Sequence, residues 1–304
     1  MNYAQLLFPD FALILTGYLL CRFTALDRQV WTQIDKLVYY FLFPVLMFTS
    51  IVKTTIRFDA VASFVPAGFL LAILTIALSY ALPHVPLLKA QFSDRDHAGS
   101  AQIAFRFNSF IGLALVERIA GAPGLLLMAV LLGMCVPLFN VAAVWPMARH
   151  SDLNFLREML RNPLIISTVS GLLANFSGFA FPDWLAPTVH RIGTASLPLG
   201  LMAAGAGMQV ASLVRGKALA VSVLSIRHFI APLLAFGIAY AMGLTVTQST
   251  VLLIFSALPT AASSYVLAAR MGYDGAYVSG LVTLSTLLGM FSLPFALHLL
   301  TLLR

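Results

Sequence analysis

Ten runs of about 20 mostly apolar residues follow one another along this chain, near residues 5–22, 31–52, 60–82, 97–117, 124–146, 162–180, 195–214, 218–242, 248–269 and 276–302. Each is long enough to cross the roughly 30 Å hydrocarbon core of a bilayer as a helix. Lipid offers no partner to an open backbone, and the runs lack the alternation of an outer-membrane barrel, so an all-α membrane protein is expected. Only 10% of the residues are charged, against about a quarter in a soluble domain. No short apolar stretch with a small-residue cleavage site opens the sequence, so the first run is expected to remain as a span.

Cys21 and Cys135 lie in or beside apolar runs without a spacing partner, so neither a disulfide framework nor a metal site is expected. The formal charge of +7 is spread over short loops. It fits membrane orientation rather than nucleic-acid binding. With both termini outside, ten basic residues fall in inside segments and five in outside ones, while Lys36, Arg106 and Arg227 lie within spans. The longest loop, Met147 to Arg161, has Leu153, Leu156, Met159 and Leu160 at helical spacing. It predicts a short amphipathic linker helix on the inner face, between a first repeat over 1–146 and a second over 162–304.

The halves echo each other. Pro9 and Gly17 stand eight apart in the first run, as do Pro163 and Gly171 in the sixth, and Pro44 and Pro198 each follow 35 residues after the earlier proline. The offset is 154 residues, about half the chain. Five spans per half would insert the second half upside down, giving two inverted five-helix repeats. Inverted repeats are typical of secondary transporters, which bind substrate near the midplane on broken helices.

The fourth run of each half is the expected place for a break. "AFRFNSFIGLAL" brings together Asn108, Ser109 and Gly112, downstream of a polar Gln102, and "SALPTAASSYVLAARMG" holds Pro259, Thr260, Ser263 and Ser264. Proline and glycine weaken a helix, and small hydroxyl and amide side chains can satisfy the backbone groups released. The competing reading is a kinked structural helix with hydroxyls bonded to their own turn.

Arg106 lies about nine residues into its span, or roughly 13 Å at 1.5 Å per residue. A charge at that depth costs on the order of 3 kcal/mol and normally faces the bundle interior for a functional reason. Arg227, beside His228, lies at similar depth, whereas Asp10, Asp35, Asp59 and Glu117, the carboxylates closest to the core, sit near span ends. Central positive charge without a central carboxylate suggests an anionic ligand. The alternatives are an arginine that snorkels or pairs with a carbonyl or Glu117, and, for Arg227, His228 and Asp35, coupling or charge compensation.

The stretches "KLVYYFLFPVLMFTSI", "RFNSFIGLALVERIAG", "NPLIISTVSGLL", "ASLPLGLMAAGAGM" and "SALPTAASSYVLAARMGYDGAYVSGLVTLSTLLGMFSLP" are similar to the auxin efflux carrier family of membrane transporters in its bacterial form, over nearly the whole chain. The resemblance implies ten helices as two inverted five-helix repeats, a scaffold and a transport domain, broken helices crossing in spans 4 and 9, and movement of organic anions such as malonate or malate. Asn108 falls on the family's span-four asparagine. Ala114 and Ser264 fall where members carry crossover prolines, and Pro259 on an earlier family proline.

The sequence therefore predicts a secondary transporter of a bacterial inner membrane. It would carry a small organic anion on Arg106, Asn108, Ser109, Gly112, Pro259, Thr260, Ser263 and Ser264, without a cofactor, with a proton or sodium as candidate coupling ion. An uptake symporter for another solute, a channel, a receptor and an intramembrane enzyme are the rivals; no H-E-x-x-H or G-x-S-x-G run supports the last. Gly205 and Gly207 would permit close helix contact within the chain or in a homodimer.

Overall fold

The computed structural model describes residues 3–53, 58–86, 91, 93–147, 163–208, 216–261 and 263–303. The loop expected to form an amphipathic helix lies almost wholly outside them. Among the described residues the chain is helical, with no strand. The helices are α1 (Tyr3–Phe23), α2 (Arg28–Leu37), α3 (Phe43–Lys53), α4 (Phe58–Ala81), α5 (Asp94–Ser100), α6 (Ser109–Val144), α7 (Pro163–Phe176), α8 (Ala186–Thr194), α9 (Ser196–Ala206), α10 (Lys217–Ser225), α11 (Ala231–Ala241), α12 (Val246–Ala257), α13 (Ser263–Arg270) and α14 (Gly275–Thr301).

Among the described residues, four segments are long and apolar enough to cross a membrane: Val61–His84, Asp94–Val144, Lys217–Ala241 and Gly275–Thr301; Phe11–Phe23 and Val246–Ala257 are shorter apolar helices. Several expected spans are realised in pieces. The run near 31–52 is α2 and α3 joined by a π turn over Val38–Leu42, and a second π turn over Ile226–Ile230 joins α10 to α11. α6 breaks at Gly121, whose φ of 61° lies in the left-handed region that favours glycine.

The chain divides into two compact units. The first comprises Met1–Val65, Phe110–Met134 and Asn154–Gly207; the second comprises Pro66–Ser109, Cys135–Leu153 and Met208–Arg304. In the first unit α1 packs on α9 and α3 on α7. Both contacts are made by small residues that let backbones approach. A Cβ at Gly17 would collide with the Met202 carbonyl, and one at Gly171 would meet the Phe48 Cα at 3.4 Å. Gly17 and Gly171 are 154 residues apart, and so are Phe48 and Met202, so the two contacts repeat each other at the spacing of the proline–glycine pattern. Gly205 abuts the Ile14 carbonyl, which makes it an internal packing residue. Arg28 and Asn175 cap the ends of α9 and α3, donating to the carbonyls of Ala206 and of Ile51 and Val52.

In the second unit α12 packs against α11 and α14, and α13 against α14. Two interruptions lie here. The chain leaves α5, makes a short 3₁₀ turn over Ala101–Ala104, and runs non-helically to Ser109; α12 ends at Ala257, and Leu258 to Ala261 are non-helical before α13. The breaks fall in both expected runs, but the first lies at 105–108, before Gly112 rather than on it.

Candidate functional site at the interrupted helices

Interrupting a buried helix strands backbone groups that need partners, and several of those at the two breaks can be followed to their partners. The Asn108 N–H donates to the Pro259 carbonyl over 2.7 Å, so the two breaks meet. The Leu258 and Phe255 carbonyls accept from Arg227, through Nε at 2.5 Å and Nη2 at 2.9 Å, and the Phe105 carbonyl of the other break accepts from Nη1 at 3.5 Å. The Ala257 carbonyl accepts from the Ser292 hydroxyl at 2.9 Å, and the Thr260 N–H donates to Ser285 Oγ at 2.9 Å.

His228 completes this pattern. Its Nδ1 lies 2.8 Å from Ser292 Oγ and its Nε2 2.7 Å from Ser285 Oγ. Because Ser292 gives its only hydroxyl hydrogen to Ala257, Nδ1 must carry the proton and donate to Ser292, which leaves Nε2 to accept from Ser285. The chain of donors runs in one direction, from the Thr260 N–H through Ser285, His228 and Ser292 to the Ala257 carbonyl. It assigns His228 the neutral imidazole with its proton on Nδ1.

Arg227 and His228 are both buried, and both lie on the second π turn, which widens the helix by one residue and lets neighbouring side chains serve the same interruption. Nothing in the sequence marks that turn.

Phe105 and Phe107 pin the first break by inserting between neighbours. Phe105 packs on Phe139, with ring centroids 5.4 Å apart, and Phe107 on Phe139 and Phe255, at 5.9 and 4.6 Å. Between them Arg106 is half-buried and points to other partners, donating from Nη1 to Gln102 Oε1 at 3.0 Å and from Nη2 to Asn140 Oδ1 at 3.1 Å. An arginine can only donate, so Gln102 must present its oxygen to Arg106 and its Nε2 elsewhere. Nε2 donates to the carbonyls of Gly99 and Ser264, both at 3.1 Å. Gln102 thereby ties the first interruption to the start of α13.

The structure gathers most of the expected site and leaves some of it apart. Asn108, Pro259, Thr260 and Ser264 are buried at the meeting of the breaks, and the hydroxyls of Thr260 and Ser264 have no hydrogen-bond partner. Ser109 opens α6 and Ser263 opens α13; the Ser263 side chain lies outside the described set. Gly112 is buried one turn further along α6, in the part that belongs to the first unit. Arg106 is held by Gln102 and Asn140. Asp35 lies on the exposed face of α2 in the first unit.

Gln102, Asn140, Ser285 and Ser292 were not singled out as site residues from the sequence. Gln102 stands four residues before Arg106, the spacing of two neighbours on a helix face, and that was the one usable signal. The other three come from distant helices and carry none.

An all-helical chain with membrane-length apolar helices and a polar centre built on two interrupted helices defines an integral membrane protein of the transporter class. Comparison of sequences gives the family. The chain belongs to the membrane transport protein family, that of the auxin efflux carriers, whose model matches residues 4–297. It is similar to an uncharacterized transporter of Methanothermobacter thermautotrophicus, 24% identical over 287 residues covering 93% of each chain. It is also similar to a Rhizobium meliloti protein named "Putative malonate transporter", 23% identical over 316 residues covering 97% of this chain and 94% of the relative.

Proposed function

We propose that this protein is a secondary active transporter that moves a small organic anion, a carboxylate of the malonate or malate kind, across the inner membrane by alternating access where the two interrupted helices meet. The observation that carries this reading is the 2.7 Å hydrogen bond from the Asn108 N–H to the Pro259 carbonyl, with the unpartnered buried hydroxyls of Thr260 and Ser264 beside the second break. Polar groups buried without partners cost about 1–3 kcal/mol each, and a carboxylate would supply acceptors to them. Arg106 stands in the first break, where it can offset substrate charge. The name carried by the Rhizobium relative supports a dicarboxylate.

Ten spans arranged as two inverted repeats fit this function, and the paired Gly17–Met202 and Gly171–Phe48 contacts at a common offset of 154 residues support that arrangement. Uptake of labelled dicarboxylates and monocarboxylates into proteoliposomes, under imposed pH, sodium and voltage gradients, tests it. Accumulation of one acid supports the reading; no movement of any acid under any gradient would overturn it.

A further inference from the structure

Each interrupted helix presents a carboxyl-terminal end, where unpaired carbonyls and the helix dipole concentrate negative potential, roughly half an elementary charge per helix. Transporters built on broken helices commonly place a coupling cation on such ends, coordinated by loose carbonyls. Here three of those carbonyls already have a cationic donor. Phe255 and Leu258 from the second break and Phe105 from the first all accept from one side chain, the guanidinium of Arg227, which is 2% exposed. None of those hydrogen bonds goes to a carboxylate, so the charge it neutralises is that of the helix ends. An arginine does not lose its proton in a protein, and its fixed planar fork can serve several carbonyls at once.

We propose that Arg227 is a tethered cation standing where a coupling cation would otherwise bind, so that transport through this chain does not draw on sodium. The inference rests on the transporter reading above and adds what holds the helix ends. A mobile ion can be bound on one side of the membrane and released on the other, and its gradient can be harvested. A cation fixed to α10 and α11 through the π turn between them cannot leave.

The test uses the purified full chain and two readouts, one of which needs no substrate. Thermal unfolding in detergent is followed for the wild type, Arg227→Ala and Arg227→Met while guanidinium, sodium or choline is titrated at millimolar concentration. The wild type is expected to be indifferent to all three. Both variants are expected to melt several degrees lower and to recover part of that loss, saturably, in guanidinium or sodium and not in choline. Equal effects of the three cations on the variants, or an Arg227→Met variant as stable as the wild type in choline, would overturn the proposal.

Carboxylate uptake by wild-type proteoliposomes is expected to be unchanged when choline replaces sodium, and uptake that requires sodium would also overturn it. If Arg227→Ala and Arg227→Met do not fold, Arg227→Lys decides, because it keeps the charge and loses the fork. Sodium-indifferent melting is then expected, and a saturable stabilisation by sodium contradicts a filled cation position. Should the wild type move no acid at all, the transporter reading fails while the melting experiment still rules on Arg227.

Discussion

Asn108 and Pro259, 151 residues apart in the chain, are joined by a backbone hydrogen bond of 2.7 Å. Neither residue is in a helix, so the bond exists only because both helices stop where they do. The same event that frees an N–H in one segment frees a carbonyl in the other, and each cancels the other's cost. Arg227, Ser285 and Ser292 serve further backbone groups that the two breaks leave over.

Replacement of Arg106 by alanine is expected to abolish carboxylate uptake while the protein still inserts and elutes as a single species on size-exclusion chromatography. The side chain is half-buried and donates to two neutral amides, Gln102 and Asn140. Uptake at the wild-type rate by properly folded Arg106→Ala would remove it from the substrate site.

Gln102→Leu keeps the side-chain size but strips the donors from the Ser264 and Gly99 carbonyls and the acceptor from Arg106. Groups buried without partners cost about 1–3 kcal/mol each, so unfolding is expected at a clearly lower temperature than for Arg106→Ala. Equal melting of the two variants would show that the tie to α13 contributes little.

The directed chain through His228 predicts a neutral imidazole with its proton on Nδ1, which nitrogen chemical shifts of labelled His228 would report. Ser285→Ala should destabilise the protein by about 1–3 kcal/mol, because it leaves both the Thr260 N–H and His228 Nε2 without a partner. A resonance pattern of doubly protonated imidazole at neutral pH would contradict this arrangement.

Glycines at the helix crossings of the first unit are expected to tolerate no side chain. Gly205→Ala sets a methyl against the Ile14 carbonyl and Gly17→Ala one against the Met202 carbonyl, and backbone cannot move aside as a flexible side chain can. Overpacking of this kind costs about 1–3 kcal/mol or more. Gly237→Ala, which has nothing within 4 Å of the added carbon, is the control and should melt like the wild type. Comparable loss at Gly237 would mean that close approach is not what these glycines provide.

The sequence by itself determined that the chain is built of apolar helices for a membrane, that its halves share a 154-residue spacing, and which two runs are interrupted. These are properties of composition and of local backbone chemistry; the breaks are announced by proline or glycine together with clustered small polar residues, since Pro9, Pro66 and Pro294 stand alone within continuous helices. It also marked Arg106, Asn108, Thr260 and Ser264, because polar groups in an apolar run are visible without knowing their neighbours. Partners were not legible. That Arg227 would cap the ends of two interrupted helices, that His228 would close a one-way chain through Ser285 and Ser292, and that Gln102 would reach Ser264 all depend on helices distant in sequence lying side by side. The π turn that brings Arg227 and His228 to the same interruption is one added residue in a helix, with no signature of its own. Stranded backbone groups require partners in any fold, and only the tertiary packing decides which side chains supply them.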